Sequence, residues 1–215
     1  MNYDAFAGWE GRELGALLIL GIASIINFGI MIDEEIIGKD FREIGLRKEE
    51  VKECTFRNCN FAKADLSHTN FVGCRFEDCD LSMANMANTA LKEIEFVDCK
   101  MVGIRFELCN PFLLQVGFSN CQMTLCSFYE LPLGGTEFKN CQLHEAEFSS
   151  ANLSKSSFDD CDLSKAVFEE TNLEKVDFRS ASHFAIEPER NRMKGARFSL
   201  DGLPGLLSKH GIKLN

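Results

Sequence analysis

The side chains able to do chemistry are ten cysteines, four histidines and thirty-three carboxylates, in a chain of 215 residues with a net charge of −10. Nucleophilic catalysis needs a cysteine or serine beside a base, and zinc needs thiols or imidazoles that converge. The cysteine spacing offers neither. Cys54 and Cys59, Cys74 and Cys79, and Cys121 and Cys126 are separated by four residues, where structural zinc sites use C-x-x-C steps. The histidines His68, His144, His183 and His210 are isolated in sequence, and no G-x-S-x-G, Walker or H-E-x-x-H pattern occurs. No enzyme activity, metal or cofactor is expected. The acidic balance also argues against direct nucleic-acid binding, which needs clustered lysine and arginine.

The elements that hold these residues show themselves through a different period. From Ile36 a large apolar residue recurs every fifth position: Phe41, Leu46, Val51, Phe56, Phe61, Leu66, Phe71, Phe76, Leu81 and onward to Phe106. The phase slips by two residues over 107–113. It resumes at Leu113 and Phe118 and runs to Phe178, breaks at His183 and Pro188, and returns at Met193, Phe198 and Leu203. Two residues before each centre stands a small one: Cys54, Cys59, Ala64, Thr69, Cys74, Cys79. Neither a helix nor a strand has a period of five. A chain that buries two of every five residues without interruption must coil, each coil covering its neighbour's apolar face.

This explains the cysteines. Nine of the ten sit at the small position, with Cys109 at the slip, and a thiol is a small apolar filler. Disulfides are not expected. Free thiols suit a reducing compartment, so the chain reads as cytoplasmic. Reading every twentieth residue gives Phe56, Phe76, Phe96, then Phe118, Phe138, Phe158, Phe178 and Phe198, one unbroken phenylalanine column. Gly134–Gly135 reads as a corner needing positive φ, and 183–192 as a bulged loop replacing one coil.

The segments AKADLSH (62–68), SSANLSK (149–155), DDCDLSK (159–165) and EETNLEK (169–175) carry the motif A(D/N)LXX. On these the chain resembles the pentapeptide-repeat proteins over about residues 36 to 203. The resemblance implies an all-β fold, a right-handed quadrilateral β-helix with four fives per coil. About seven or eight coils stacked at ~4.8 Å would make a rod of roughly 35 Å.

The resemblance extends to Qnr-type members, which imitate duplex DNA and bind DNA gyrase and topoisomerase IV, protecting them from quinolones. It implies a non-enzymatic acidic rod that binds protein. No residue-level Qnr contact carries over; the outward repeat positions themselves give Glu77, Asp78, Asp98, Glu107, Glu130, Asp159, Asp160, Glu169 and Glu170 as the candidate partner surface. The alternative is a general interaction scaffold for another partner. The long projecting loops of some Qnr proteins have no counterpart here.

The organisation expected is a hydrophobic segment at 1–32, a repeat solenoid at 33–200 and a C-terminal cap at 201–215. Leu14 to Ile32 contains no charge. Two readings stay open for it: a start codon placed upstream of a true start at Met31, or a single-pass membrane anchor. At the other end Leu203, Leu206, Leu207 and Ile212 could line a short helix that caps the solenoid or joins two copies as a homodimer.

Overall fold

The computed structural model describes residues 29–43, 45, 46 and 49–210. Apolar side chains that recur every five residues can all face inward only if the chain turns a corner after each five. The structure is accordingly a right-handed, four-sided β-solenoid. One side is a four-stranded parallel sheet of β1 (Ile30–Ile32), β3 (Glu50–Lys52), β5 (Asn70–Val72) and β7 (Ala90–Lys92). The next is a seven-stranded parallel sheet of β2 (Glu35–Ile37), β4 (Thr55–Arg57), β6 (Arg75–Glu77), β8 (Ile94–Val97), β9 (Val116–Ser119), β10 (Glu137–Lys139) and β11 (Ser157–Asp159). The other two sides are single β-bridges, such as Asp80↔Lys100 and Asp65↔Asn85, in the same twenty-residue register.

The large sheet carries the phenylalanine column. Phe56–Phe76, Phe118–Phe138 and Phe138–Phe158 stack with ring centroids 4.9, 5.1 and 4.8 Å apart, close to the strand spacing of a sheet. A second column, Phe106–Phe128–Phe148–Phe168, packs edge-on against the first, with Phe138 and Phe148 at 86° and 6.0 Å. Offset stacks along the axis and T-shaped contacts across it are the two favoured aromatic geometries, so one core satisfies both.

Every cysteine is free and buried. Cys59, Cys79, Cys99, Cys121, Cys141 and Cys161 form one continuous column, and Cys79, Cys99 and Cys161 donate weak Sγ hydrogen bonds to Phe56 O, Phe76 O and Phe138 O of the preceding coil.

The corners explain the polar positions. The residue two after most centres has positive φ, at Asn58, Asp78, Asp98, Asn120, Asn140 and Asp160 along one edge, for example. Asparagine and aspartate tolerate this left-handed conformation better than other side chains. Gly135 fills the same role at φ +79.

Three expectations are corrected. The pattern starts one rung before Ile36, because Met31 is buried and pairs with Val51. Ile30–Ile32, the end of the uncharged stretch, is therefore strand β1; residues 14–28 of that stretch lie outside the described residues, and none of the described helices is long and apolar enough to cross a membrane.

The two extra residues of the slip are Leu114 and Gln115. Cys109 follows Thr89 in register, since Asn110 N donates to Thr89 O at 2.9 Å, and Pro111 occupies the rung's place. Leu113 is then a corner residue at φ +59, exposed, and not the first rung of the new phase.

Residues 183–192 are not a bulge. Phe178 and Phe198 stack at 5.2 Å across them, and Asn172↔Arg192 and Asp177↔Arg197 keep the register. His183 turns outward at φ +57, and Phe184 turns inward in its place. Asn191 occupies an inner position with its amide satisfied: Nδ2 donates to Phe168 O and Glu187 O, and Oδ1 accepts from Thr171 N.

Candidate functional site

A solenoid packed with side chains has no interior left for a ligand. The surface clefts are shallow, and no group of His, Cys, Asp or Glu among the described residues could hold a metal ion. What the fold offers is a rigid outer surface on which side chains recur at coil spacing.

The nine candidate carboxylates do not share one face. Glu77, Asp78, Asp98, Asp159 and Asp160 follow the large sheet, whereas Glu107, Glu130, Glu169 and Glu170 lie two sides further round. Four of the nine are engaged within the protein. Arg57 bridges Glu35 and Glu77 at 3.0 and 3.1 Å, and Arg75 contacts both Glu77 and Glu95, a zipper that pairs the strand carboxylates of the first coils of this face. Glu107 accepts from Arg105 at 2.8 Å and is only 16% exposed. Glu169 is held by Arg190 at 2.9 Å, and Asp159 accepts from Ser157 at 3.5 Å.

The remaining five, Asp78, Asp98, Glu130, Asp160 and Glu170, are exposed, form no ion pair among the described residues, and all have positive φ. They are corner residues. Asp78, Asp98 and Asp160 alternate with Asn58, Asn120 and Asn140 along one edge, so the backbone selects the residue type and the carboxylates add charge to it.

The structure also brings together three residues that stand far apart in sequence. Asp162 Oδ2 lies 2.9 Å from His144 Nε2, and Asp162 Oδ1 lies 3.0 Å from His183 Nδ1. Ser164 Oγ donates to the same carboxylate at 2.7 Å. Partial burial by itself would raise the Asp162 pKa, but the bonds from Ser164 and His183 and the close approach of His144 outweigh it and hold the carboxyl well below its ordinary range. The Ser164 hydroxyl is bonded to the carboxylate, and among the described residues it has no hydrogen bond to either imidazole that would activate it. Cys121 and Cys141 lie beside it, but they are buried and their thiols are pushed up to about 12 through their thiol neighbours and burial. The cluster links three successive coils. Its signal in sequence is the near-twenty spacing of 144, 162 and 183.

The C-terminal candidates divide. Leu206 packs against the core and Leu207 is half-buried, both serving the short helix α1 (Pro204–Leu207) that closes the last coil. Leu203 is 41% exposed. Ile212 lies outside the described residues. Gly202 and Gly205 rest on Phe184, and Ile186 N donates to Gly205 O at 3.0 Å, so 183–192 is the seat of this cap.

A solenoid whose coils repeat every twenty residues, with alternating large and small inner positions, defines a family. A family model described as a pentapeptide repeat region matches residues 49–113, 70–139 and 133–200, and the chain belongs to the pentapeptide-repeat family.

Among solved structures, it is similar to a trypsin-treated variant of QnrB1, a plasmid-mediated fluoroquinolone resistance protein, with 21% identity and a TM-score of 0.57 over 87% of this chain and 100% of that one. Full-length QnrB1 matches at 23% identity and TM-score 0.42 over 86% of this chain and 100% of that one. HetL, a pentapeptide-repeat protein involved in heterocyst differentiation regulation from the cyanobacterium Nostoc, matches at 17% identity and TM-score 0.35 over 87% and 94%. The first of these likenesses is one of fold. No curated protein matches the sequence.

Proposed function

We propose that the chain is a non-enzymatic, protein-binding rod whose acidic edges enter a basic groove built for duplex DNA, the groove of a type II topoisomerase. The observation that carries this reading is the array of free corner carboxylates, Asp78, Asp98 and Asp160 on one edge and Glu130 and Glu170 on another, fixed on a rigid scaffold of net charge −10. Fixed charges on a stiff rod meet a complementary surface without loss of loop entropy. Charge on more than one face suits a partner that wraps the rod. The resemblance to fluoroquinolone resistance proteins directs the choice to DNA gyrase.

The opposing reading, a scaffold for some other basic protein, draws support from the Arg57–Arg75 zipper, which pairs Glu35, Glu77 and Glu95 on the large sheet and leaves only its corner carboxylates Asp78 and Asp98 free in those coils. The two are separated by binding to purified gyrase. The triple change Asp78→Asn, Asp98→Asn, Asp160→Asn keeps residues suited to the left-handed corner while removing three charges. The topoisomerase reading expects saturable binding that weakens with salt and weakens about tenfold or more in the triple variant. Absence of binding at low salt would leave the scaffold reading.

A further inference from the structure

At the two-residue insertion the rod breaks its own rule. Pro111, Phe112 and Leu113 are three consecutive exposed apolar residues, with Phe112 72% and Leu113 58% exposed. Such runs are errors in a soluble surface unless they serve a contact. Leu113 is doubly out of place. The equivalent corners of other coils are Glu53, Gly73, Glu93, Gly135, Lys155, Lys175 and Gly195, all charged or glycine, whereas Leu113 holds φ +59 with a branched side chain turned to solvent. Among the described residues Met83 and Leu125 are the other apolar side chains at positive φ, each standing alone, whereas Leu113 follows directly on the exposed Phe112. Leu108, on the preceding corner of the same coil, is exposed as well.

Beside this tongue run two connected clefts of about 360 and 320 Å³, sharing Gln115, Val116 and Gly135. Their floor is low because Gly117, Gly134 and Gly135 carry no side chain; a Cβ on Gly117 or Gly135 would meet nothing within 4 Å. Carboxylates flank the tongue. Glu93 precedes Leu113 on its edge, approached by Lys92 only at 3.9 Å, and Glu130 follows Leu108 on the neighbouring edge with no ion pair among the described residues.

We infer that Phe112 and Leu113, with the glycine-floored cleft beside them, form a docking site for a basic amphipathic helix of the partner protein. The tongue supplies an apolar anchor, and Glu93 and Glu130 meet lysine or arginine at the helix's flanks. Charge complementarity selects this occupant over an acidic one, and a single exposed aromatic anchor is the usual carrier of affinity at such contacts. The inference rests on the protein-binding reading and adds to it a contribution that salt does not screen, which the corner carboxylates cannot supply.

The test uses the full chain and two synthetic helices of equal positive charge, one of lysine and leucine, one of lysine and serine, at 0.3 M salt, on the order of three times the ionic strength at which the screening length is ~10 Å. The site predicts that the lysine–leucine helix binds about tenfold more tightly than the lysine–serine helix. Phe112→Ser and Leu113→Gly should each abolish that preference. Neither change threatens folding, since Phe112 is exposed and glycine relieves the corner at 113; an unchanged or raised melting temperature confirms this. Equal binding of the two helices, or a preference that survives both substitutions, overturns the site. Because no topoisomerase is present, failure here is distinct from failure to bind gyrase.

Discussion

Gly205 rests directly on Phe184: a Cβ built on it would collide first with the Phe184 backbone carbonyl oxygen and would lie 2.7 Å from two carbons of its ring, inside any real contact distance. The chain turns His183 out and Phe184 in so that the last coil presents an aromatic seat, and the helix α1 crosses it at a residue with no side chain. Gly202 meets the same ring, where a Cβ would come within 2.8 Å.

The cap therefore tolerates no methyl at this crossing. Gly205→Ala should destabilise the cap by about 1–3 kcal/mol, the usual cost of overpacking. Hydrogen exchange of amides 200–210 should accelerate while the central coils stay protected. Uniform protection across both would show that the helix is not seated on Phe184.

The phenylalanine column is the main source of stability. Phe138 is fully buried between Phe118 and Phe158 and meets Phe128 and Phe148 edge-on. Phe138→Ala should cost about 3–5 kcal/mol, and Phe138→Asp should prevent folding, because an unpaired charge would enter the core. Denaturant unfolding measures the first and circular dichroism the second. A folded Phe138→Asp protein would contradict the inward assignment.

The thiols should be inert. Burial pushes Cys109 up to about 12, assisted by Glu107, and pushes Cys126 to about the same value; Cys54 and Cys79, drawn down by their thiol neighbours Cys74 and Cys59, are shielded by burial alone. The thiolate is the reactive form, so Ellman's reagent should titrate almost none of the ten cysteines in the native protein and all of them after denaturation. Fast native reaction of several thiols would show that the column is open.

Asp162 should shape the acid limb of stability. Its folded carboxyl is held below the unfolded value of about 3.9, so the stabilisation is complete above about pH 4 and is lost as pH falls further. Asp162→Asn removes the linkage, and its unfolding free energy should fall less steeply between pH 4 and 2 than that of the parent. Parallel profiles would show that the bonds from Ser164 and His183 and the close approach of His144 do not favour the charged form.

The inward-facing half of this protein is plain in its sequence because burial selects residue type strongly: Phe76, Phe96 and Phe118 sit where the twenty-residue count puts them. The outward half is less legible. Leu113 is apolar and five before Phe118, so it imitates a rung, yet a corner conformation places it outside and moves the insertion to Leu114 and Gln115. His183 likewise occupies a counted rung position while its neighbour Phe184 does the packing, a choice decided by the cap some twenty residues later.

The acidic candidates suffered from a similar ambiguity. Aspartate at 78, 98 and 160 answers a backbone demand that asparagine meets equally at 58, 120 and 140, so composition alone could not separate charge from conformation. The partners of Glu77 and Glu107, Arg57 with Arg75 and Arg105, become visible only once coils are stacked. The His144–Asp162–His183 cluster was hidden for the same reason, its members being neighbours across coils rather than along the chain.

The most direct test of the protein-binding account is DNA supercoiling by purified gyrase with increasing amounts of the full chain, with and without a quinolone. The account predicts either restored supercoiling in the presence of the drug or direct inhibition in its absence, with the effect diminished in the Asp78→Asn, Asp98→Asn, Asp160→Asn variant. Supercoiling unchanged under both conditions across a wide excess of the protein would contradict it.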